Sequence, residues 1–304
     1  MTDFAPVHMH ESVSPGTVAV VGLGQMGLPI ALRLLAAGFR VAGCRRREPP
    51  GAVSRSRRAW LPEPGAGDRQ LSDRVNGAPI GRGSDVCCDR RSRSRQHHSC
   101  DGVWVEMSTV PETVKRALAE KMAEIGWSTL DCPISGAPRQ LEAGEAVLLS
   151  SGQRDTHDRV KPVLQAISPR VSYLGEFGRG IRAKHTAHLL LAGHSLVAAE
   201  ALAFARAADL NIGEVLDALK GTIVSSGVFD HRARRVLDAP DTPAASPLGG
   251  LADALAWIHQ LAAELHTPTP VLERALSHFD RRDAERTDEL VVAFYRELTA
   301  GSAF

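Results

Sequence analysis

The stretch Val18-Ala-Val-Val-Gly22-Leu23-Gly24-Gln25-Met26-Gly27 carries a strand-like apolar run into a Gly-x-Gly-x-x-Gly turn, and helical spacing follows from Leu28 to Ala37. Each glycine has its own physical role. Gly22 makes the tight turn, Gly24 lets backbone approach a pyrophosphate, and Gly27 lets the helix pack close on the strand. A helix start at that point offers free N–H groups and a positive dipole end to phosphate. Gly38 and a second apolar stretch, Phe39 to Gly43, complete a βαβ pattern. Gly22, Leu23, Gly24, Gln25, Met26 and Gly27 are therefore the expected dinucleotide cradle. The next stretch reads Gly43-Cys44-Arg45-Arg46-Arg47, with no carboxylate before Glu48. An acidic residue here would take the ribose 2′-hydroxyl of NAD, whereas Arg45 and Arg46 suit the 2′-phosphate of NADP. NADP is the expected cofactor, with NAD as the alternative.

The elements that must position such a site need a chain of adequate size. The 304 residues are 43% hydrophobic, enough for two domains with real cores. The formal net charge of +1 gives no global field that would recruit nucleic acid or an acidic membrane. Met1 to Ser14 lacks an apolar core of signal-peptide type, and no run of eighteen apolar residues is present. Five cysteines, an odd and mostly clustered set, do not read as a disulfide framework. The expectation is a cytoplasmic enzyme that binds neither nucleic acid nor membrane.

Three later segments extend the pattern. Val105-Glu-Met-Ser108-Thr109-Val-Pro111 is an apolar strand ending in hydroxyls; Leu130-Asp131-Cys-Pro-Ile-Ser135-Gly136-Ala137 precedes Glu142-Ala-Gly144; Gly178-Arg-Gly180-Ile-Arg-Ala-Lys184 opens a long helical pattern. In this order, and with the N-terminal fingerprint, they resemble the β-hydroxyacid dehydrogenase family over about residues 18–47 and 102–270. That family includes 3-hydroxyisobutyrate dehydrogenase, tartronate semialdehyde reductase and the threonate dehydrogenases, and the wording around His194 and Glu200 is most similar to the last. The resemblance implies that Lys184 exchanges a proton with the substrate oxygen, which hydride transfer at the carbinol carbon requires. A free lysine has a pKa near 10.4, so desolvation or a neighbouring cation would improve it as a base. The resemblance also makes Ser135, Gly136 and Ala137 the cradle of the substrate carboxylate, and sets Thr109, with Ser108, near the cofactor.

Departures from the family are local. His188 stands where the family has asparagine, and its i, i+4 spacing keeps it on the face of Lys184, able to bond substrate oxygen or, if protonated, to depress the lysine pKa. A lysine-aspartate pair that approaches the cofactor aligns with Asp253-Ala254, reversing the charge. Ser226-Gly227 replaces Ser-Trp. Imine reductases, related in fold, also lack the usual lysine and asparagine, but Lys184 and Ser135-Gly136 argue against that reading.

Pro50 to Cys100 departs throughout. A doubly wound domain needs two further buried strands here, yet the sequence is arginine- and serine-rich with no run of four strong β-formers. A pair of compensating frameshifts in the coding DNA is the favoured explanation, because the genetic code lets a one-base shift around Cys87-Cys88 encode Val or Ala twice, then Ile or Thr; resequencing that DNA tests it. A disordered insertion, a basic nucleic-acid patch and a metal site from Cys87, Cys88, Cys100, His97 and His98 are the alternatives, the last disfavoured by adjacent cysteines. No metal is expected.

From Arg182 onward the spacing is helical, clearest at Lys184–Ala208, Ile212–Leu219, Gly250–Leu265 and Pro270–Phe279, with breaks at Pro240–Ser246 and Thr267–Pro270. The predicted architecture is an α/β Rossmann-type doubly wound domain over residues 1–181 and an all-α domain over 182–304, of the 6-phosphogluconate dehydrogenase type. Leftover apolar helix faces point to a homodimer or homotetramer. The expected activity is NAD(P)-dependent hydride transfer with a short β-hydroxy acid or its semialdehyde. The alternative is a non-catalytic, cofactor-impaired member that binds or oligomerises.

Overall fold

The computed structural model describes residues 17–44, 85–89, 102–237, 248–277 and 290–300. The chain divides into two compact units, Met1–Ser108 with Glu112–Gly180 and Thr109–Pro111 with Ile181–Phe304.

The first unit begins with β1 (Thr17–Val21), α1 (Gly27–Ala36), β2 (Arg40–Cys44) and β3 (Asp85–Asp89). It continues through β4 (Val103–Glu106), α2 (Glu112–Glu124), β5 (Ser128–Asp131) and β6 (Ile134–Ser135). It ends with α3 (Pro138–Glu142), β7 (Val147–Ser150), α4 (Arg154–Ile167) and β8 (Arg170–Tyr173). Alternation along β1 explains why the sheet is covered on both sides. Val18 and Val20 pack with Ile30 and Leu34 of α1 and Leu164 and Ile167 of α4. Ala19 and Val21 join Trp104, Leu118, Met122 and Trp127 on the opposite face.

The main sheet has the order β2-β1-β3-β4-β5. β1 runs parallel to β2 and β4 parallel to β5, but β3 is antiparallel to both neighbours. The doubly wound α/β architecture is present, and β3, which lies in the segment without a run of four strong β-formers, runs against its neighbours. Asp-Val-Cys-Cys-Asp has acids at both ends of a short apolar centre, so its pattern does not distinguish one strand direction from the other. Apart from β3, the unusual segment, including His97, His98 and Cys100, lies outside the described residues. A smaller sheet, β6-β7-β8, follows, with β6 antiparallel and β8 parallel to β7.

The second unit is helical: α5 (Arg179–Ala207, whose first two residues belong to the first unit), α6 (Ile212–Leu219), α7 (Gly227–His231), a 3-10 turn (Ala233–Val236), α8 (Leu248–Glu264), α9 (Pro270–Ser277) and α10 (Leu290–Thr299). Ala192, Leu196, Ala199 and Leu202 of α5 recur at helical spacing and pack with Leu216, Leu255, Ile258, Leu272 and Phe294. Side chains of Asn211 and Ser226 cap α6 and α7 by accepting the N–H groups of Glu214 and Phe229. By length and composition α5 could cross a membrane. Ala192, Leu196, Ala199 and Leu202 on it build this core, and Arg182, Lys184, Glu200 and Arg206 lie along it. The helix starts at Arg179, inside the segment Gly178 to Lys184 that opens the helical pattern in the sequence, and Gly180 sits in its first turn.

Candidate active site

The first unit holds the nucleotide-binding half. Gly22 follows β1 at φ +94, a backbone that favours glycine, and so turns the chain sharply toward α1. Gly24 and Gln25 are exposed at this turn, and a Cβ built on Gly24 meets nothing within 4 Å. Leu23 faces the end of β2, where a Cβ on Gly43 would lie 2.7 Å from its Cδ1. Leu23 and Met26 also pack on the core beneath. The helix that follows Met26 has no side-chain cap and no acidic residue in its first turn. An open glycine backbone before an uncapped helix start fits a pyrophosphate. Arg45 and Arg46 lie outside the described residues; β2 itself contributes no carboxylate.

Ser108 follows the end of β4, buried, with Thr109 half-buried beside it. The Ser108 N–H donates to Glu106 Oε1 at 2.9 Å, and its hydroxyl donates to the same oxygen. Glu106 and Asp131 end neighbouring parallel strands as register partners. Between them lies Lys115 of α2, its Nζ 2.8 Å from Asp131 Oδ1 and 3.1 Å from Glu106 Oε2, with all three side chains no more than 1% exposed. Burial alone would lower the lysine pKa, but the two carboxylates outweigh it and raise the pKa above the ordinary 10.5, so Lys115 stays charged. The adjacent thiol of Cys132 is pushed up to about 12 by burial and by Asp131, which makes it inert. Sequence reasoning missed this cluster. The available signal was an acid at the end of each of two adjacent strands, since like charges placed opposite each other need a shared cation.

Ser135 ends β6, opposite Val147 of β7. Gly136 has φ +149, and a Cβ there would lie 2.9 Å from that of Ala146, so the turn requires glycine. The N–H of Ala137 donates to Gln140 Oε1 at 2.8 Å, which fixes the turn into α3 and occupies that donor.

The second unit supplies the titratable half. Lys184 and His188 stand one turn apart on α5, both half-buried. Burial, with a contribution from Arg232, lowers the Lys184 pKa to about 8. Burial, Lys184 and His185 push His188 down to about 3, so its imidazole is neutral at physiological pH. Its Nδ1 is buried without a hydrogen-bond partner among the described residues. The lowered lysine pKa therefore owes nothing to a protonated His188; the neighbouring cation is Arg232, which sequence reasoning also missed. Asp253 is exposed on α8.

Both halves of the chain are similar to known proteins. Residues 17–60 and 85–175 match the NAD binding domain of 6-phosphogluconate dehydrogenase. Residues 178–293 match the NAD-binding domain of NADP-dependent 3-hydroxyisobutyrate dehydrogenase. An L-threonate dehydrogenase of Pectobacterium atrosepticum is 27% identical, covering 95% of this chain and 97% of its own length. A 3-sulfolactaldehyde reductase of Escherichia coli is 25% identical, covering 84% of this chain and 86% of its own. The crystal structure of 3-hydroxyisobutyrate dehydrogenase from Salmonella typhimurium superposes with a TM-score of 0.68 at 21% identity, covering 93% of this chain and 99% of that one, which establishes the shared fold. With both halves of the chain matched in order by profiles of these dehydrogenases, the protein belongs to the β-hydroxyacid dehydrogenase family.

Proposed function

We propose that this protein is an NAD(P)-dependent oxidoreductase that moves a hydride between nicotinamide and a short β-hydroxy acid or its semialdehyde, with NADP preferred and a threonate-like acid as the substrate class. The observation that carries this reading is Lys184, whose amine is shifted into a range where it can both take and return a proton. Gly22 to Gly27 would hold the pyrophosphate, and Arg45 and Arg46 the 2′-phosphate. The nicotinamide, when bound, supplies the hydride chemistry. Ser135 and Gly136 bind the substrate carboxylate through a hydroxyl and a bare backbone N–H. Lys184 takes the hydroxyl proton during oxidation and returns it during reduction. Neutral His188 orients the same oxygen by a hydrogen bond, doing what asparagine does elsewhere in the family.

The test is oxidation of L-threonate and 3-hydroxyisobutyrate with NADP⁺ and with NAD⁺, by the wild type and by Lys184→Ala. Turnover that the variant lowers by about 10² to 10⁴, with cofactor binding kept, is the expected result; equal turnover by both proteins would overturn the assignment.

Self-association belongs to the same proposal. Leu190, Val197 and Phe204 are exposed at seven-residue intervals along α5, as a helix contact seam requires. So does a cytoplasmic location, where the nicotinamide pool lies, checked by cell fractionation. One observation favours a cofactor-impaired reading instead: the antiparallel β3 stands between β1 and β4, where the doubly wound pattern has a parallel strand. Titration with NADPH and NADH separates the two readings.

A further inference from the structure

The buried cluster below Ser108 takes no part in the chemistry above, yet its bonds lead to two places that matter for it. One arm runs from Lys115 through Glu106 to the backbone N–H and hydroxyl of Ser108. The other runs from Lys115 through Asp131, whose Oδ2 accepts the Ser151 hydroxyl at 3.0 Å. Ser151 Oγ in turn accepts the N–H of Gly180 at 2.9 Å. Gly180 is the second residue of α5, the helix that carries Lys184 one turn further on. The approach is as close as a backbone allows: a Cβ on Gly180 would lie 2.3 Å from the Leu149 carbonyl oxygen and 2.9 Å from Asp131 Oδ2.

Stability does not explain such a cluster. Two carboxylates and one ammonium, all buried, incur desolvation three times over, and well-packed hydrocarbon in their place is often as stable or more so. Hydrocarbon cannot supply directional acceptors for two chosen N–H groups. Those groups belong to the residue at the cofactor side of β4 and to the first turn of the lysine-bearing helix.

We infer that Lys115 is a positioning residue: by holding Glu106 and Asp131 together it fixes Ser108 and, through Ser151, the first turn of α5, and thereby the register in which Lys184 is presented. The inference rests on the reading of Lys184 as the proton carrier. It assigns Ser151 a role that can be removed without disturbing the charges. A shift of about 1 Å at a reacting group can lower a rate by about 10².

The experiment compares Ser151→Ala, Ser151→Cys and Ser151→Thr with the wild type, in the oxidation assay above and by NMR exchange of the Gly180 amide. Ser151→Cys keeps the side-chain volume with a weak acceptor, which preserves the fold if alanine does not. Expected for the alanine or cysteine variant are a faster-exchanging Gly180 amide, unchanged NADPH affinity, and kcat lowered about 10- to 100-fold with KM little altered. Ser151→Thr, which restores the hydroxyl, recovers kcat. A merely structural serine would lower the unfolding midpoint and leave kcat alone. Wild-type kcat in the folded alanine or cysteine variant, or an unchanged Gly180 exchange rate, would overturn the inference. Lys184→Ala separates the two claims: full turnover there overturns the proton-carrier reading itself, whereas its loss beside unaffected Ser151 variants overturns only the positioning role.

Discussion

Burial acts in the same direction on Lys184 and His188 but leaves them with different work. The lysine, lowered to about 8, is divided between ammonium and amine near neutrality, while the histidine, lowered to about 3, is a neutral partner throughout. Oxidation needs the amine, so kcat for oxidation rises with pH through about 8; reduction needs the ammonium, so its kcat falls above the same value. No histidine limb is expected between about pH 5 and 8 in either profile. Arg232→Gln removes the neighbouring cation and moves both limbs in the alkaline direction, toward the ordinary 10.5. Gly24 allows a different test, since a Cβ there has open space in the free protein. Gly24→Ala is expected to keep the wild-type melting temperature while raising the NADPH Kd by roughly tenfold or more, read by fluorescence titration. The glycine turn was legible in the sequence because its spacing is a local signal, whereas Lys184 was singled out only through the family resemblance. Arg232 was not, because it meets Lys184 only through the packing of separate helices.

Elements were legible where their pattern is periodic. β1, α1 and the helices of the second unit follow from alternation and helical spacing, with ends moved by a few residues. The close approach at Gly180 did not follow, since the lack of room for a Cβ beside the Leu149 carbonyl is set by tertiary packing. Nor did the ion cluster: Lys115 reads as an ordinary helix-surface lysine until two strands set Glu106 and Asp131 side by side. Lys115→Met leaves both buried carboxylates without their cation, and urea denaturation should show a loss of about 3–5 kcal/mol. β3 is the element that departs furthest from expectation. The match to the family profile stops at residue 60 and resumes at 85, at the start of this strand. We propose compensating frameshifts as the origin of this break, and a continuous reading frame in freshly sequenced coding DNA would remove a recording error as their source.

For the whole molecule, two units built on separate cores divide the labour: one offers an open glycine turn for a nucleotide, the other a titratable lysine on a long helix. An L-threonate dehydrogenase is matched over 95% of this chain and 97% of its own length, so the similarity spans both units. If the exposed seam on α5 is the self-association surface proposed above, Phe204→Glu should lower the sedimentation mass without changing the unfolding midpoint. The measurement that bears most directly on the central claim is kcat for hydroxy-acid oxidation as a function of pH, for the wild type and for Lys184→Ala with NADP⁺. The expected result is a wild-type limb near pH 8 that disappears in the variant together with about 10² to 10⁴ of the rate. A variant that keeps both the rate and the limb would contradict the assignment of Lys184 and, with it, the proposed mechanism.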